Sequence, residues 1–254
     1  LLPDGYYTYT LEAVDRAGNH GISSPVRFRL DTEETPVILS VEYDAFSPNA
    51  DGIRDTIKIL PEVKKPDGIE SYTLVILNAD TEEVRTFTGK GRVPTAMMWD
   101  GLSDRGLKVP DGSYQAKLSV RYVNGNEPVS LSKMFLIDTV YPAVKASIDT
   151  YLFSPDGDGN KDQVTISHES SEEALWEGSI LDAAGNSVWE QFFKGRVPKV
   201  VWDGLDEAGN RVPDGSYRWI VQSTDAAGNS GKAEIAPIRI DTRLPRLFLT
   251  MDVQ

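Results

Sequence analysis

The sequence predicts an all-β chain built from tandem antiparallel β-sandwiches, and three observations lead to this prediction. Short motifs recur along the 254 residues at intervals of 107 and then 103 residues. Segments between them alternate apolar and polar residues with a period of two, which is typical of half-buried strands. Turn signals rich in Asp, Gly and Asn separate these segments at short intervals.

The repeat is carried by three motifs. P-D-G-x-Y begins at Pro3, Pro110 and Pro213, and a D-T element followed by proline begins at Asp31, Asp138 and Asp241. F-S-P occurs at Phe46 and Phe153. A period of this length indicates domains in tandem, because each domain repeats its own turns and core positions.

The phase of the repeat follows from the prolines after the D-T elements, since each proline begins a new extended run. We therefore interpret the chain as a window cut from a longer tandem array. Residues 1–32 are expected to be the C-terminal part of a preceding immunoglobulin-like repeat, and residues 243–254 the first strand of a following one. Two complete repeats are expected at 33–140 and 141–242.

Within the first complete repeat, seven segments have strand character. The clearest is S-Y-Q-A-K-L-S-V-R-Y at residues 113–122, in which every second residue is apolar. The seven predicted strands are 36–43, 56–63, 70–78, 83–88, 95–99, 113–123 and 128–138. Seven short strands with frequent turns indicate a β-sandwich of the immunoglobulin or fibronectin III type.

The composition limits the partners. Asp and Glu number 39 against 26 Lys and Arg, so the net charge is -13. This balance argues against binding to nucleic acid or anionic lipid and favours cations. The absence of cysteine excludes disulfides and thiolate metal sites. Because no run of 18 apolar residues occurs, we expect no membrane insertion in this segment.

One stretch of each complete repeat carries oxygen-bearing side chains on nearly alternate residues. They are Asp156, Asp158, Asn160 and Asp162 in the second repeat, and Asn49, Asp51 and Asp55 in the first. Because Ca²⁺ binds about six to eight oxygens, we expect it as a cofactor here, bound more weakly by the first stretch. The alternative is a polar turn in which Asp and Asn side chains bind the local backbone.

Two aspartates of the D-T elements, Asp138 and Asp241, allow a similar choice. They could join turn oxygens of a neighbouring domain in a cation site. The simpler interpretation is that Asp and Thr end a strand and that the proline then fixes an extended linker. We favour the simpler one.

The sequence does not indicate an enzyme. Its two histidines, His20 and His168, lie in different repeats at non-equivalent positions. No nucleophile-elbow, zinc-protease or phosphate-loop motif occurs. We therefore expect no catalytic residues.

The repeated motifs resemble bacterial families. W-D-G-x-x-x-x-G-x-x-V-P-D-G-S-Y, at residues 99–114 and 202–217, resembles the immunoglobulin-like domain of the flagellar hook-capping protein. The F-S-P stretches, with Ala50 in place of a glycine and Asp156 in place of an asparagine, resemble the C-terminal domain associated with gliding motility and type IX secretion. The D-x-A-G-N and I-D-T-x-x-P ends resemble tandem bacterial immunoglobulin-like repeats of long surface proteins.

Together these features predict a non-catalytic spacer or adhesive segment of a large bacterial protein that is secreted or belongs to the cell envelope. Its expected partners are proteins, cell surfaces and neighbouring repeats of the same chain. One alternative is an assembly domain akin to the hook cap. The other is a carbohydrate-binding accessory region of a secreted enzyme, for which Trp189 and Phe192 could form a sugar-binding face.

Overall fold

The computed structural model describes residues 2–32, 35–246 and 248, and every regular element within these ranges is a β-strand. The chain divides into two compact units. The first contains Leu1–Pro48 and Asp55–Ile137, and the second contains Asn49–Arg54 and Asp138–Gln254. Within the described ranges, no helix is long and apolar enough to span a membrane.

The first 32 residues form two small antiparallel pairs. Strand β1 (Gly5–Tyr9) pairs with β4 (Val26–Leu30), and β2 (Glu12–Val14) pairs with β3 (His20–Ile22). All side chains of these strands are exposed or half-buried, so the pairs enclose no core of their own. Their assignment to a preceding repeat stays a prediction.

The remainder of the first unit is a sandwich of two sheets. Its strands are β5 (Val37–Val41), β6 (Ala45–Phe46), β7 (Ile57–Val63), β8 (Ile69–Asn78), β9 (Glu83–Lys90), β10 (Met97–Trp99), β11 (Gly112–Tyr122), β12 (Val129–Leu131) and β13 (Phe135–Ile137). One sheet has the order β10-β7-β5, and the other β6-β13-β11-β8-β9, with β12 also paired to β11. All these pairs are antiparallel except β6 with β13.

The second unit repeats this architecture. Its strands are β14 (Val144–Ile148), β15 (Leu152–Phe153), β16 (Val164–Ser170), β17 (Glu173–Leu181), β18 (Ser187–Gly195), β19 (Val200–Trp202), β20 (Gly215–Thr224) and β21 (Ser230–Ile240). The two sheets have the orders β14-β16-β19 and β15-β21-β20-β17-β18. The all-β sandwich class expected from the sequence is therefore confirmed.

The strand assignment of the first repeat agrees with the sequence except near its end. The predicted strand 128–138 is two strands, because at Ser132 the side chain, and not a backbone carbonyl, accepts from the backbone amide of the neighbouring strand. The Ser132 hydroxyl accepts from the Ala116 amide at 3.0 Å and donates to the Lys133 carbonyl at 2.7 Å. The short β6 was not predicted.

Alternation along the strands builds one core in each unit. In the first unit the fully buried residues of the two sheets face each other; they include Ile57, Ile59, Trp99, Leu74, Ile76, Ala116, Leu118 and Val120. In the second unit they include Val164, Ile166, Trp202, Trp176, Ile180, Trp219 and Val221. Full burial of one such aliphatic side chain contributes roughly 1.5–3 kcal/mol, so these positions dominate the stability of each unit.

The P-D-G-x-Y motif closes the same turn three times. Each tyrosine hydroxyl donates to the carbonyl oxygen of the proline four residues earlier, at 2.5 Å for Tyr7 and 2.7 Å for Tyr114 and Tyr217. A tyrosine that bonds back to the backbone in this way is typical of immunoglobulin-type sandwiches. The motif recurs because it fixes the start of a strand, which in the two complete repeats is the long central strand β11 or β20.

F-S-P and W-D-G recur together because they touch. In the first unit the Phe46 ring lies 5.6 Å from the Trp99 ring. Pro48 lies so close to Gly101 that a Cβ on this glycine would come within 2.8 Å of the proline ring. The second unit repeats both contacts, with a ring distance of 5.4 Å and the same 2.8 Å approach, through Phe153, Trp202, Pro155 and Gly204.

The aspartate of P-D-G also binds the threonine of the D-T element 28 residues later. The Asp214 carboxylate accepts from the amide and hydroxyl of Thr242 at 3.0 and 2.9 Å. Asp4 accepts from Thr32 in the same way, at 2.9 and 2.7 Å. The two motifs therefore share one spacing because they clamp the two ends of a strand pair.

The boundaries of the compact units differ from those of the sequence repeats at one segment. Asn49–Arg54 belongs to the second unit, whereas the repeat places these residues inside 33–140. Independent folding of 33–140 and of 141–242 stays a prediction. In the predicted strand at 243–254, residues 247 and 249–254 lie outside the described part of the chain.

Candidate functional site

The acidic stretch of the second unit is a loop between β15 and β16 with an alternating backbone. Gly157, Gly159 and Lys161 have positive φ angles of 86°, 87° and 59°. Left-handed residues on alternate positions curl the chain and turn successive backbone N–H groups to its inner side. The alternation noted in the sequence is therefore first a backbone pattern, with Asp and Asn between the left-handed residues.

Asp162 fills the inner side of this loop. Its two carboxylate oxygens accept from the Gly157 amide at 2.7 Å and from the Gly159 amide at 2.8 Å. Asp156 and Asp158 each accept from the amide two residues ahead, at 3.2 and 2.8 Å. These bonds are the polar turn considered as the alternative to a cation site.

The same loop also gathers carboxylates. Asp156, Asp158 and Asp162 each offer an oxygen, and these oxygens lie within 4.8 Å of one another. Ligands of one Ca²⁺ at about 2.4 Å would lie no farther apart than this, so the three residues fit a calcium ion. The loop is largely exposed, and each carboxylate oxygen keeps a second lone pair for an ion while it accepts from the backbone.

The first stretch has the same backbone but different side-chain contacts. Ala50, Gly52 and Arg54 have φ angles of 69°, 89° and 50°, matching the second loop position by position. Asn49 and Asp51 each accept from the amide two residues ahead, at 2.9 and 2.7 Å. Among the described residues, a cluster of three His, Cys, Asp or Glu side chains occurs in the second loop, whereas the first loop has only the two carboxylates of Asp51 and Asp55 and the amide of Asn49.

The Asn49 side chain is instead part of a contact inside the second unit. Its amide donates to the Tyr141 hydroxyl at 2.8 Å and to the Asn229 side-chain oxygen at 3.1 Å. Asn229 is fully buried and also donates to the Asp138 carbonyl at 2.9 Å. The Arg54 guanidinium donates to the Ala226 carbonyl. These contacts place Asn49–Arg54 against the turn at 225–229.

The two D-T aspartates are engaged locally. Asp138 accepts from the Val140 amide at 3.0 Å. Asp241 accepts two guanidinium N–H bonds from Arg243, both at 2.8 Å, and this ion pair lowers the pKa of Asp241 to about 2. Both contacts agree with the interpretation as strand ends rather than as cation ligands.

A cavity of about 800 Å³ in the second unit lies beside its hairpin turns and is rimmed by carboxylates, among them Asp182 and Asp206. The Asn186 side-chain amide donates to Asp182 at 3.0 Å and lowers its pKa, and the Asn210 backbone amide does so for Asp206 at 2.8 Å. Asp182 and Asp206 are thereby held ionised by their own turns.

His168 is a structural residue, which the sequence did not reveal. Its Nε2 lies 3.0 Å from the Trp219 Nε1 and its Nδ1 lies 2.8 Å from the Pro198 carbonyl oxygen. Because an indole N–H only donates, Nε2 must accept, and the proton therefore sits on Nδ1 and is donated to Pro198. Burial lowers the pKa of His168, which favours this neutral form. The available sequence signal was that Pro61 and Ala116 replace both residues in the first repeat.

The aromatic face considered for sugar binding is not formed as expected. Trp189 is half-buried and packs against the core residue Trp219, at a ring distance of 6.0 Å. Phe192 is exposed and lies on the other side of β18. The two side chains therefore do not share one surface.

The comparisons with known families match both complete repeats. Residues 147–235 match the family model described as the CHU_C type IX secretion signal domain, and residues 53–123 match the FlgD Ig-like domain. No curated protein matches the chain.

Several solved structures are similar to the chain. A tetra-tandem repeat from the extending region of a large adhesion protein has 19% identity and a TM-score of 0.40, covering 95% of this chain and 58% of that one. The chain thus spans little more than half of that structure. Fibronectin(III)-like modules of Clostridium thermocellum CbhA have 14% identity and a TM-score of 0.43, covering 84% of this chain and 100% of that one.

A third similar structure is a two-domain fibronectin type III segment of chicken tenascin, with 12% identity and a TM-score of 0.34. It covers 80% of this chain and 99% of that one. The family-model matches fall one in each complete repeat, and the resemblance of these repeats to the hook-capping and type IX secretion domains is thereby confirmed.

Proposed function

We propose that this chain is a non-catalytic structural segment, a spacer or adhesive part, of a large bacterial protein that is secreted or carried on the cell envelope. The contacts formed by the repeated motifs support the proposal. P-D-G-x-Y, F-S-P, W-D-G and the D-T element all form contacts that hold a sandwich together. The repeated feature is the domain itself, as in proteins whose repeats provide length and surface.

Export to the cell surface is the part of this proposal that the family matches support. The match of residues 147–235 is to a domain associated with secretion. An acidic chain without cysteine is compatible with that setting. Protein and cell-surface partners follow from the same proposal, as do neighbouring repeats of the same polypeptide.

A second candidate is an assembly domain, and the match of residues 53–123 to the FlgD Ig-like domain favours it. Such a domain would act on protein partners by presenting its sandwich surface. A carbohydrate-binding role receives no such support, because Trp189 and Phe192 lie on different sides of their strand.

We also propose that the loop at 156–162 binds Ca²⁺ through Asp156, Asp158 and Asp162. These three residues would hold the ion, with Asn160 as a further oxygen donor, and a bound cation would offset the repulsion between the carboxylates. The first loop, with Asn49, Asp51 and Asp55, would bind more weakly.

The spacer proposal is tested by pulling the full chain from its two ends in a force spectrometer. A mechanical spacer of two sandwiches should give two separate unfolding events. Each should release about 350 Å of chain, since an extended residue spans about 3.3–3.6 Å and each repeat has roughly 100 residues. Extension at low force without distinct events would contradict a load-bearing role. A matched pull on Tyr217→Phe should show one weakened event, because the turn bond to Pro213 is lost.

A further inference from the structure

The contact between Asn49–Arg54 and the turn at 225–229 joins a loop to a turn. The loop backbone and the turn each occur a second time in the chain. In the second unit the turn is closed by backbone bonds from the Asp225 amide to the Asn229 carbonyl, 3.0 Å, and from the Gly228 amide to the Asp225 carbonyl, 3.2 Å. Ile53 lies against Gly228 so closely that a Cβ there would come within 2.9 Å of it.

The first unit contains the same turn. The Tyr122 amide donates to the Asn126 carbonyl at 2.9 Å, and the Gly125 amide donates to the Tyr122 carbonyl at 3.0 Å. Asn126 stands at the repeat position of Asn229, which receives the Asn49 side chain in the second unit. The second unit in turn contains the other half of the contact, since the loop at 156–162 has the backbone of Asn49–Arg54.

A cavity of about 350 Å³ opens beside the turn of the first unit. Its lining consists of Thr32, Thr35, Pro36, Asn126, Glu127 and Pro128. In the second unit Gly231 allows the strand to lie against Pro142, because a Cβ there would come within 1.8 Å of the Pro142 carbonyl oxygen. Pro128 occupies this repeat position in the first unit. Its ring does not allow an equally close approach of the two segments, and the cavity lies between them.

The lining of the cavity includes a residue with a buried hydroxyl group, Thr35. Thr35 is only 4% exposed, and its hydroxyl oxygen has no hydrogen-bond partner among the residues that the structure describes. A buried hydroxyl without a partner costs roughly 1–3 kcal/mol, so a ligand that brings a polar atom to it is favoured. A hydroxyl both donates and accepts, which suits either a carboxylate or an amide.

The existing contact indicates which loop fits this cavity. Charge does not decide the choice, because the Lys64 ammonium is paired with Glu62, and Asp4 binds Thr32 of the lining. Asn49–Arg54 is already held against the turn at 225–229. The loop at 156–162 has the same backbone and is therefore the one that we place in the cavity.

We propose that the cavity at Thr35 and Asn126 receives the 156–162 loop of a second copy of this chain. Asp156, at the repeat position of Asn49, would reach the Thr35 hydroxyl and the Asn126 side chain. The cavity and the loop lie on different units, so the contact is heterologous and joins copies head to tail. A single loop in a cavity of this size gives a weak interface, which forms at high local concentration.

Disulfide trapping tests this proposal in the full chain, which has no cysteine of its own. An Asn160→Cys chain is mixed with a Gly125→Cys chain under mild oxidation, because these positions correspond to Ile53 and Gly228. The matched control replaces Gly125→Cys with Gly106→Cys; both glycines have positive φ and open surroundings in turns of the first unit. Ile53→Cys with Gly228→Cys in one chain is the internal standard, which should close on itself.

We expect several-fold more mixed dimer with Gly125→Cys than with Gly106→Cys. We also expect this excess to disappear when Asn126→Ala is added to the Gly125→Cys chain, because the side chain that Asp156 would contact is then removed. Equal dimer yields for the two glycine positions would overturn the proposal. Failure of the internal standard to close would overturn it as well, since the contact on which the equivalence rests would then be absent. Melting curves of each variant confirm that it is folded before mixing.

Discussion

The two units share their strand order, but on the central strand pair they place the large and the small core residue on opposite strands. On the central strand pair of the first unit, Leu74 lies in the layer that also holds Ala116. The corresponding residues of the second unit are Gly178 and Trp219. A Cβ on Gly178 would come within 2.3 Å of the Trp219 ring. Large and small residues have exchanged places, and the core stays filled because both members of the pair changed.

This exchange of residues also placed a hydrogen-bond donor in the core of the second unit. Trp219 is fully buried and brings an indole N–H into the core, where an unpaired donor would be costly. His168 accepts this N–H, at the repeat position where the first unit has Pro61. The comparison shows that one packing change in a sandwich required two compensations, one of volume and one of hydrogen bonding.

The largest effect should come from undoing the packing exchange. Trp219→Ala is expected to lower the free energy of unfolding of the second unit by about 3–5 kcal/mol, because it leaves a cavity beside Gly178. Adding Gly178→Leu should recover part of this loss, since it recreates the pair found in the first unit. Calorimetry of the full chain and a double-mutant cycle measure the coupling. A double variant no more stable than Trp219→Ala alone would show that the two positions do not compensate.

The next effect concerns the two acidic loops. If the 156–162 loop binds Ca²⁺, a calcium concentration of 100 times Kd should stabilise the second unit by roughly 2.7 kcal/mol. Oxygen-only sites of extracellular modules have a Kd of about 10⁻⁴–10⁻³ M, so millimolar calcium is the range to use. Melting of the full chain in calcium and in chelator measures the difference.

Asp158→Ala should abolish this calcium effect, because it removes one of the three clustered carboxylates. Asp51→Ala, in the first loop, is the matched control and should leave most of the effect in place. Identical melting points in calcium and chelator for the unaltered chain would leave the 156–162 loop as a polar turn closed by its own side chains.

A smaller effect should follow from pH. The pKa of His168 is lowered by burial, so the unfolded chain takes up the proton more readily than the folded chain. Its contribution to stability is complete above the unfolded pKa of about 6.5 and is lost as the pH falls through the lower folded pKa. We expect the second unit to melt at a progressively lower temperature as the pH is reduced from about 7 to about 5.

His168→Gln should flatten this pH dependence and cost about 1 kcal/mol at neutral pH, because the bond from Trp219 is weakened. The only other histidine, His20, is the control: His20→Gln should leave the pH dependence unchanged. A pH dependence that persists in His168→Gln would assign it to other groups.

The smallest effect should come from backbone strain in the two acidic loops. Ala50 has a φ of 69°, where an L-residue with a Cβ is strained, and Gly157 stands at the same position of the second loop. Ala50→Gly should stabilise the chain by up to about 1 kcal/mol, and Gly157→Ala should destabilise it by about 1 kcal/mol. Chemical denaturation measures both. A loss of stability in Ala50→Gly would mean that the entropy of the unfolded chain outweighs the strain.

Much of this fold was predictable because its signals are local. Period-two alternation located the strands, and the P-D-G-x-Y and D-x-A-G-N turns depend on residues within a few positions of one another. The repeat then placed equivalent core positions without any knowledge of contacts. The split of the last strand was missed, because it depends on the Ala116 amide, 16 residues away, which donates to the Ser132 hydroxyl.

By itself, then, the sequence determined the class of the fold, the tandem organisation, the turns and the side chains that alternate into each core. Only the tertiary structure decided where the polar atoms point. Asp162 binds the backbone of its own loop, His168 accepts from an indole 51 residues away, and Asn49 lies against Asn229. Such pairings depend on distances of a few ångströms between groups that the chain separates, and alternation and turn chemistry carry no record of those distances.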